Sequence, residues 1–192
     1  MHSYKMVNMN KYSLILITLM ILSCNIPEDP VEEVYFHGSA KIPINNDTLE
    51  FMQSLKLSHN TLDTFNIAFV YFIGDNIQRK ILSIAGFSLS FAKQNLFISE
   101  FDFDINDKPF SSFATSLSDG DVAGNYYKLN TNDSIEDYIQ INEYNSTTKM
   151  VKGNVQASYI IHLLPGDIKF DLTSPDTIII SNFEFETKIL ER

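Results

Sequence analysis

Side chains alternate between apolar and polar through long stretches of this chain, and that alternation limits it to one fold class. The clearest stretch is residues 151–163, where every second residue is apolar or small and most of those between are polar. A period of two is the pattern of a half-buried β-strand, because successive side chains point to opposite faces. This pattern places Leu163 on the buried face. It recurs at residues 177–189, where it places Ile179 and Phe183 there.

Further segments have strand character, and turn signals separate them. They are residues 36–42, 49–57, 65–73, 79–87, 96–105, 112–117, 124–129 and 138–144. No amphipathic helix is evident, although residues 88–95 have room for one helical turn. We therefore predict an all-β domain, an antiparallel β-sandwich of about nine to ten strands. A small lipocalin-like β-barrel is the alternative.

The N-terminal segment predicts export and attachment to lipid. Lys5 and Lys11 precede an apolar run at residues 13–22, and Ser23 and Cys24 follow it. This order is that of a secretory signal, and the run is too short to span a bilayer. Residues 21–24, Ile-Leu-Ser-Cys, resemble the bacterial lipoprotein box, which implies cleavage between Ser23 and Cys24 and a diacylglycerol and palmitate on the Cys24 thiol. The alternative is a free cysteine ending an uncleaved anchor.

Charge and cysteine content exclude several classes of partner and chemistry. Removing the signal, residues 1–23, takes away both lysines and no acidic residue, so the formal charge falls from −10 to −12. Such a surface repels nucleic acid, and we expect membrane contact through the lipid instead.

Residues 24–33 contain two prolines and four acidic residues, which is typical of a tether, and residues 34–192 form a single predicted domain. With Cys24 acylated, no thiol remains for a disulfide, a thiolate metal site or a nucleophile.

Several segments resemble a family of uncharacterised Bacteroidota-type lipoproteins. They include Tyr-Ile-Gln-Ile-Asn-Glu-Tyr at residues 138–144, Val-Lys-Gly-Asn-Val at residues 151–155 and Ser-Ala-Lys-Ile-Pro-Ile-Asn-Asn at residues 39–46. The chain departs from the family at Val155, where an aromatic residue is usual, and at Asn182, where glycine is common. The resemblance implies an all-β fold and an outer-membrane lipoprotein that is surface-exposed or periplasm-facing. It implies no activity, because none is established for the family.

A short acidic run is the best candidate for a metal site. Asp102, Asp104 and Asn106 have the spacing that opens a calcium-binding loop. The loop fails at its two most specific positions, where Asp107 replaces glycine and Phe113 replaces glutamate. We therefore expect these side chains to form the solvated face of a strand, with no bound metal.

Other reactive residues have equally plain interpretations. The histidines that remain after processing are His37, His59 and His162, which are far apart in sequence and are expected on the surface. The Gly-Phe-Ser segment ending at Ser88 begins like a nucleophile elbow but lacks its closing glycine. Three Asp-Ser/Thr-apolar triplets resemble O-glycosylation acceptors of Bacteroidota-type bacteria, with acceptors at Thr48, Ser134 and Thr177. Entry into a β-strand explains the same triplets without modification.

Together these features predict a lipid-anchored protein of the cell envelope with no cofactor and no enzymatic activity. We expect a binding or interaction module, whose protein or glycan partner is not readable from the sequence. The alternative is a β-barrel carrier of a small apolar ligand, which requires inward aromatic side chains to line a cavity. A hydrolase would require two carboxylates, or a histidine and a carboxylate, that converge in a cleft.

Overall fold

The computed structural model describes residues 36–57, 63–74, 77–98, 108–117, 123–164 and 166–190, which belong to one compact unit. These residues form eleven β-strands and no helix, which confirms the all-β prediction. The strands are β1 (Ser39–Ile44), β2 (Asp47–Leu57), β3 (Phe65–Ile73), β4 (Ile77–Phe87), β5 (Gln94–Asn95), β6 (Phe97–Ile98), β7 (Phe110–Ser116), β8 (Ala123–Leu129), β9 (Tyr138–Asn145), β10 (Met150–Ile161) and β11 (Thr177–Leu190).

Eight of the strands close into a barrel. They pair in chain order as β1-β2-β3-β4-β7-β8-β10-β11, and β11 returns to pair with β1 at Ile44 and Ile180. Every one of these pairs is antiparallel. Beyond the N-terminal end of β1, β11 also pairs directly with β2, and this pairing is parallel. The chain therefore adopts the barrel alternative rather than two separate sheets. Alternation could not distinguish the two, because both bury one face of each strand.

Side chains complete the closure where β1 begins. Gln53 is fully buried, and its Nε2 donates hydrogen bonds to the carbonyl oxygens of Ser39 at 3.2 Å and Glu186 at 2.5 Å. The Oγ1 of Thr187 donates to the carbonyl oxygen of His37 at 3.0 Å. These bonds join the start of β1 to β2 and β11 at a distance from the β1–β11 pair at Ile44 and Ile180, so the first and last strands remain joined there.

The β8 and β9 strands share one edge of β10. Leu129 at the end of β8 lies opposite Tyr159, and Tyr138 at the start of β9 lies opposite Gln156. Residues 130–137 therefore leave the barrel wall and return to it a few residues further along β10. This excursion covers Ser158, which lies on the outer face of β10, as the alternation predicts, and is nevertheless buried.

A β-bulge in β11 changes which residues point inward. Between the pairs Val155–Phe183 and Ala157–Ile180, β11 contains one residue more than β10. Ile178 and Ile180 therefore point inward on one side of the bulge, and Phe183 and Phe185 do so on the other. The prediction for Phe183 is confirmed. The prediction for Ile179 is wrong, since its side chain is 38% exposed and the extra residue inverts the alternation there.

Aromatic side chains pack together inside the barrel. Phe69 makes edge-to-face contacts with Phe183 at 5.3 Å and Phe185 at 5.7 Å between ring centroids. Phe113 contacts Tyr127 at 5.8 Å and Tyr159 at 5.9 Å. All six belong to one continuous buried cluster. Each such side chain removed from water contributes about 1.5–3 kcal/mol to folding, so these contacts are a major source of stability.

The buried tyrosine hydroxyl in this cluster has a partner. Ser111 Oγ donates to the carbonyl oxygen of Ser83 at 2.9 Å, so the 2.6 Å contact between Ser111 and Tyr159 is donated by the Tyr159 hydroxyl. Complete burial raises the pKa of Tyr159 and keeps the hydroxyl protonated.

In the parts of the chain that are described, no helix has the length and apolar character needed to cross a membrane.

Candidate functional site

The loop between β10 and β11, residues 162–176, crosses one end of the barrel, which we call the cap end. Asn125 shares the inward face of β8 with the core residue Tyr127 and is itself buried. Its Oδ1 accepts hydrogen bonds from the backbone N–H groups of Phe170 at 3.0 Å and Asp171 at 3.2 Å, and its Nδ2 donates to the carbonyl oxygen of Asp171 at 3.0 Å. One inward-pointing amide therefore holds the middle of the loop over the barrel end.

Further bonds fix the second half of the loop. The Tyr127 hydroxyl donates to the carbonyl oxygen of Pro175 at 2.9 Å. Lys169 Nζ lies 2.8 Å from the Asp176 carboxylate and also donates to the carbonyl oxygen of Ser174. Hydrogen bonds from the side chains of Ser174 and Thr173 lower the pKa of Asp171 to about 2, so that this carboxyl is ionised at neutral pH.

A lysine lies beneath the loop. Lys80 shares the inward face of β4 with the core residues Leu82 and Ile84. Burial lowers the pKa of Lys80, and the negative charges of Asp47 and Asp171 oppose that shift. The charge of Lys80 is thus partly compensated from the start of β2 and from the loop.

The outer surface of the loop is apolar. Five large side chains of the loop are exposed to solvent, and we call them the apolar cap: Leu163, Leu164, Ile168, Phe170 and Leu172. Ile168 and Leu172 are the most exposed, at 79% and 81%. The prediction that Leu163 points inward is therefore wrong, because β10 ends at Ile161 and the chain leaves the barrel wall there. Exposed apolar patches of this kind are typical of interaction sites.

An open cleft on the barrel wall is the second candidate. It has a volume of about 500 Å3 and is lined by Asn95, Leu96, Phe97, Ile98, Thr131, Glu136 and Asp137. Burial raises the pKa of Asp137 to about 6. Its Oδ1 nevertheless accepts a hydrogen bond from the N–H of Ser158 at 2.7 Å, and Glu136 pairs with Lys93 at 2.8 Å. The Asp137 carboxyl therefore anchors residues 130–137 to β10, and the Glu136 carboxyl joins them to the turn that contains Lys93.

The structure separates the other residues singled out in the sequence. His37 lies where β1 begins, and its backbone joins β2 and β11. His162 lies at the cap end against the ring of Tyr126, 6.0 Å between centroids. The Ser88 hydroxyl and N–H contact the Gln94 Oε1 at 3.2 and 2.9 Å, so this segment is a turn that the Gln94 side chain fixes rather than a nucleophile elbow.

The three acceptor positions for glycosylation are spread over the molecule. Thr48 lies exposed in β2, Ser134 lies exposed in residues 130–137, and Thr177 begins β11. The lipidation and cleavage residues Cys24 and Ser23 lie outside the described residues, as do His59 and the metal candidates Asp102, Asp104 and Asn106. Within the described ranges, no group of three or more His, Cys, Asp or Glu side chains is placed to bind a metal ion.

Sequence reasoning missed the apolar cap. The cap has a sequence signal, because Ile168, Phe170 and Leu172 alternate with polar residues between the Pro165–Gly166 turn and Pro175. That pattern predicts a half-buried strand, whereas the structure has a loop with these side chains facing solvent. The bonds from Asn125 and Tyr127, which make the difference, join residues far apart in sequence.

Comparisons with known proteins find no matching family model, no matching curated protein and no matching solved structure. Function is therefore inferred from the residues and geometry of this chain.

Proposed function

We propose that this protein is a lipid-anchored, non-enzymatic binding module of the cell envelope, related to the Bacteroidota-type lipoproteins that its sequence resembles. Cys24 carries the lipid, and residues 24–33 join it to the barrel. The module is an outer-membrane lipoprotein that is surface-exposed or periplasm-facing. Its acidic charge disfavours nucleic acid as a partner.

One observation carries the proposal: apolar side chains pack against each other inside the barrel, while other large apolar side chains are exposed on the cap. A carrier would have the opposite arrangement, with an open apolar interior and a polar exterior. The contacts among Phe69, Phe113 and their neighbours supply the packed interior. The exposed Ile168 and Leu172 supply the binding surface.

The polar groups of the wall cleft also support binding rather than catalysis. A hydrolase requires carboxyls that are free to exchange protons with a substrate. Here Asp137 is hydrogen-bonded to the backbone of Ser158, and Glu136 is paired with Lys93. Both carboxyls therefore have structural partners within the protein.

Incorporation of an alkynyl fatty acid into the protein in its own cells tests the lipid anchor. We expect label on the wild type and on Ser23→Ala, which keeps a small residue before the cysteine, and none on Cys24→Ala. Membrane association should fall with the label. An unlabelled wild type with an intact N-terminus by mass spectrometry would mean that the leader has been misinterpreted.

The carrier alternative has specific support in the closed eight-strand barrel. Titration of the mature protein with a fluorescent fatty acid separates the two functions. We expect no saturable binding, because Phe69, Phe113, Tyr127 and Tyr159 occupy the interior. Saturable one-to-one binding that Phe113→Trp abolishes would favour the carrier.

A further inference from the structure

We propose that the apolar cap inserts into the interfacial region of the lipid bilayer, so that the barrel stands on the membrane by its cap end. This inference rests on the proposed lipid anchor and deepens it. It assigns the bilayer to a surface that would otherwise be exposed to water. The anchor and the cap would then hold the same membrane from two positions on the chain.

The size of the apolar cap is the first argument. Its five side chains come from ten consecutive positions, and their exposed fractions correspond to on the order of 500 Å2 of apolar surface. That area is near the upper end for a patch on a monomeric protein. Phe170 and the aliphatic side chains around it are of the types found on the apolar face of segments that lie in a membrane interface.

The charged side chains of the loop already have partners within the protein. Asp171 accepts hydrogen bonds from Thr173 and Ser174, and Lys169 pairs with Asp176. The Asp167 carboxylate accepts the N–H of Leu164 at 3.1 Å. Insertion of the apolar tips to a shallow depth therefore leaves few unsatisfied groups to lose water, and this loss is the main cost of placing a loop against lipid.

The chain length before the barrel allows this orientation. Eleven residues lie between Cys24 and Phe36, and the twelve Cα–Cα steps can span at most about 40 Å. From Phe36 the chain needs eight residues, about 25 Å when extended, to reach the cap end at Ile44. An anchor at Cys24 can thus lie in the bilayer that the cap contacts. The tether also keeps the cap at a high local concentration near lipid, which favours the bilayer over a protein partner.

Charge predicts which lipids the cap prefers. The chain without its leader has a formal charge of −12, so an anionic surface would repel it. Insertion should therefore depend on apolar contact and proceed on zwitterionic lipid. It should be insensitive to salt.

Depth-dependent fluorescence on the acylated full chain tests the inference. Because the Cys24 thiol carries the lipid, Ile168→Cys introduces a single free thiol for a polarity-sensitive fluorophore, and Leu172→Cys does the same at a second position. Thr147→Cys is the matched control, since Thr147 is also exposed, in the turn between β9 and β10 at the opposite end of the barrel. The labelled proteins are reconstituted in phosphatidylethanolamine–phosphatidylcholine vesicles.

We expect blue-shifted emission at positions 168 and 172, and quenching by bilayer nitroxides at least about threefold stronger than at position 147, because interfacial segments bury several ångströms into lipid. Equal quenching at the two ends of an acylated protein would overturn the cap insertion and point to a protein partner. Quenching that requires anionic lipid and vanishes in high salt would also overturn it. A protein without fatty acid refutes the anchor itself, which the alkynyl label reports separately.

Discussion

Replacing Asn125 by alanine should release the cap loop from the barrel. The substitution removes two acceptor bonds, from the N–H groups of Phe170 and Asp171, and one donor bond to the Asp171 carbonyl oxygen. A hydrogen bond contributes about 0.5–1.5 kcal/mol net, so three of them amount to roughly 2–4 kcal/mol. The loop can hydrate its freed groups when it opens, and we therefore expect the lower part of that range.

Native-state hydrogen exchange measures this release directly. The free energy of local opening at the Phe170 and Asp171 amides should fall by about 2–3 kcal/mol, which makes their exchange about 30- to 150-fold faster. The amide of Val151, which is buried at the other end of β10, should be unaffected. Asn142→Ala is the matched control, because Asn142 is an exposed strand asparagine whose Nδ2 donates to the Asn154 side chain at 3.1 Å, away from the loop.

Unchanged exchange at Phe170 in Asn125→Ala would refute the conclusion that this amide holds the loop. A uniform acceleration at all amides, Val151 included, would mean that the loop and the barrel open as one unit. The bond geometry requires the local result, because the three bonds join only the Asn125 side chain to the loop backbone.

Two further substitutions probe the barrel wall. A Cβ added at Gly153 would lie 2.5 Å from the Gln140 carbonyl oxygen and 2.7 Å from the Phe185 ring. Gly153→Ala should therefore lower the free energy of unfolding, measured by urea denaturation, by about 1–3 kcal/mol. An unchanged urea midpoint would contradict this crowding. Asp137 has its pKa raised from 3.8 to about 6, so its contribution to stability is present below pH 4 and is lost as the pH rises through 6. Asp137→Asn keeps an acceptor for the Ser158 N–H, and its stability relative to wild type should rise by on the order of 1 kcal/mol between pH 4 and 7, allowing for solvent screening. A pH-independent difference would contradict the raised pKa.

The sequence predicts the strands better than their arrangement. Strand signals are local properties of the sequence. The apolar run of β3 begins and ends at the predicted residues Phe65 and Ile73, and β10 follows the alternation through most of its length. The bulge in β11 is not readable in this way, because its extra residue is defined only by pairing with β10. Closure depends on Ile44 meeting Ile180 across almost the whole domain. No local pattern encodes that contact, so sandwich and barrel remained alternatives.

The candidate site was harder to predict for a related reason. The apolar cap has the same alternation as a strand, and what makes it a loop is a set of bonds from Asn125 and Tyr127. Neither residue looks special in the sequence. The raised pKa of Asp137 likewise depends on its burial where residues 130–137 pack against β10, which is a property of the folded chain alone.

The position of β1 between β2 and β11 has a consequence for the order of assembly. In the proposed export route the N-terminal end emerges first, so β1 and β2 can form their hairpin early while the last strand is still being synthesised or translocated. The strands from β2 to β10 can pair with their neighbours as they emerge. The barrel can close, by pairing of β11 with β1, only after Leu190 has left the export channel. Until then, the edges of β1 and β10 stay open to intermolecular pairing. These two edges are where we expect a chaperone of the envelope to bind and prevent aggregation.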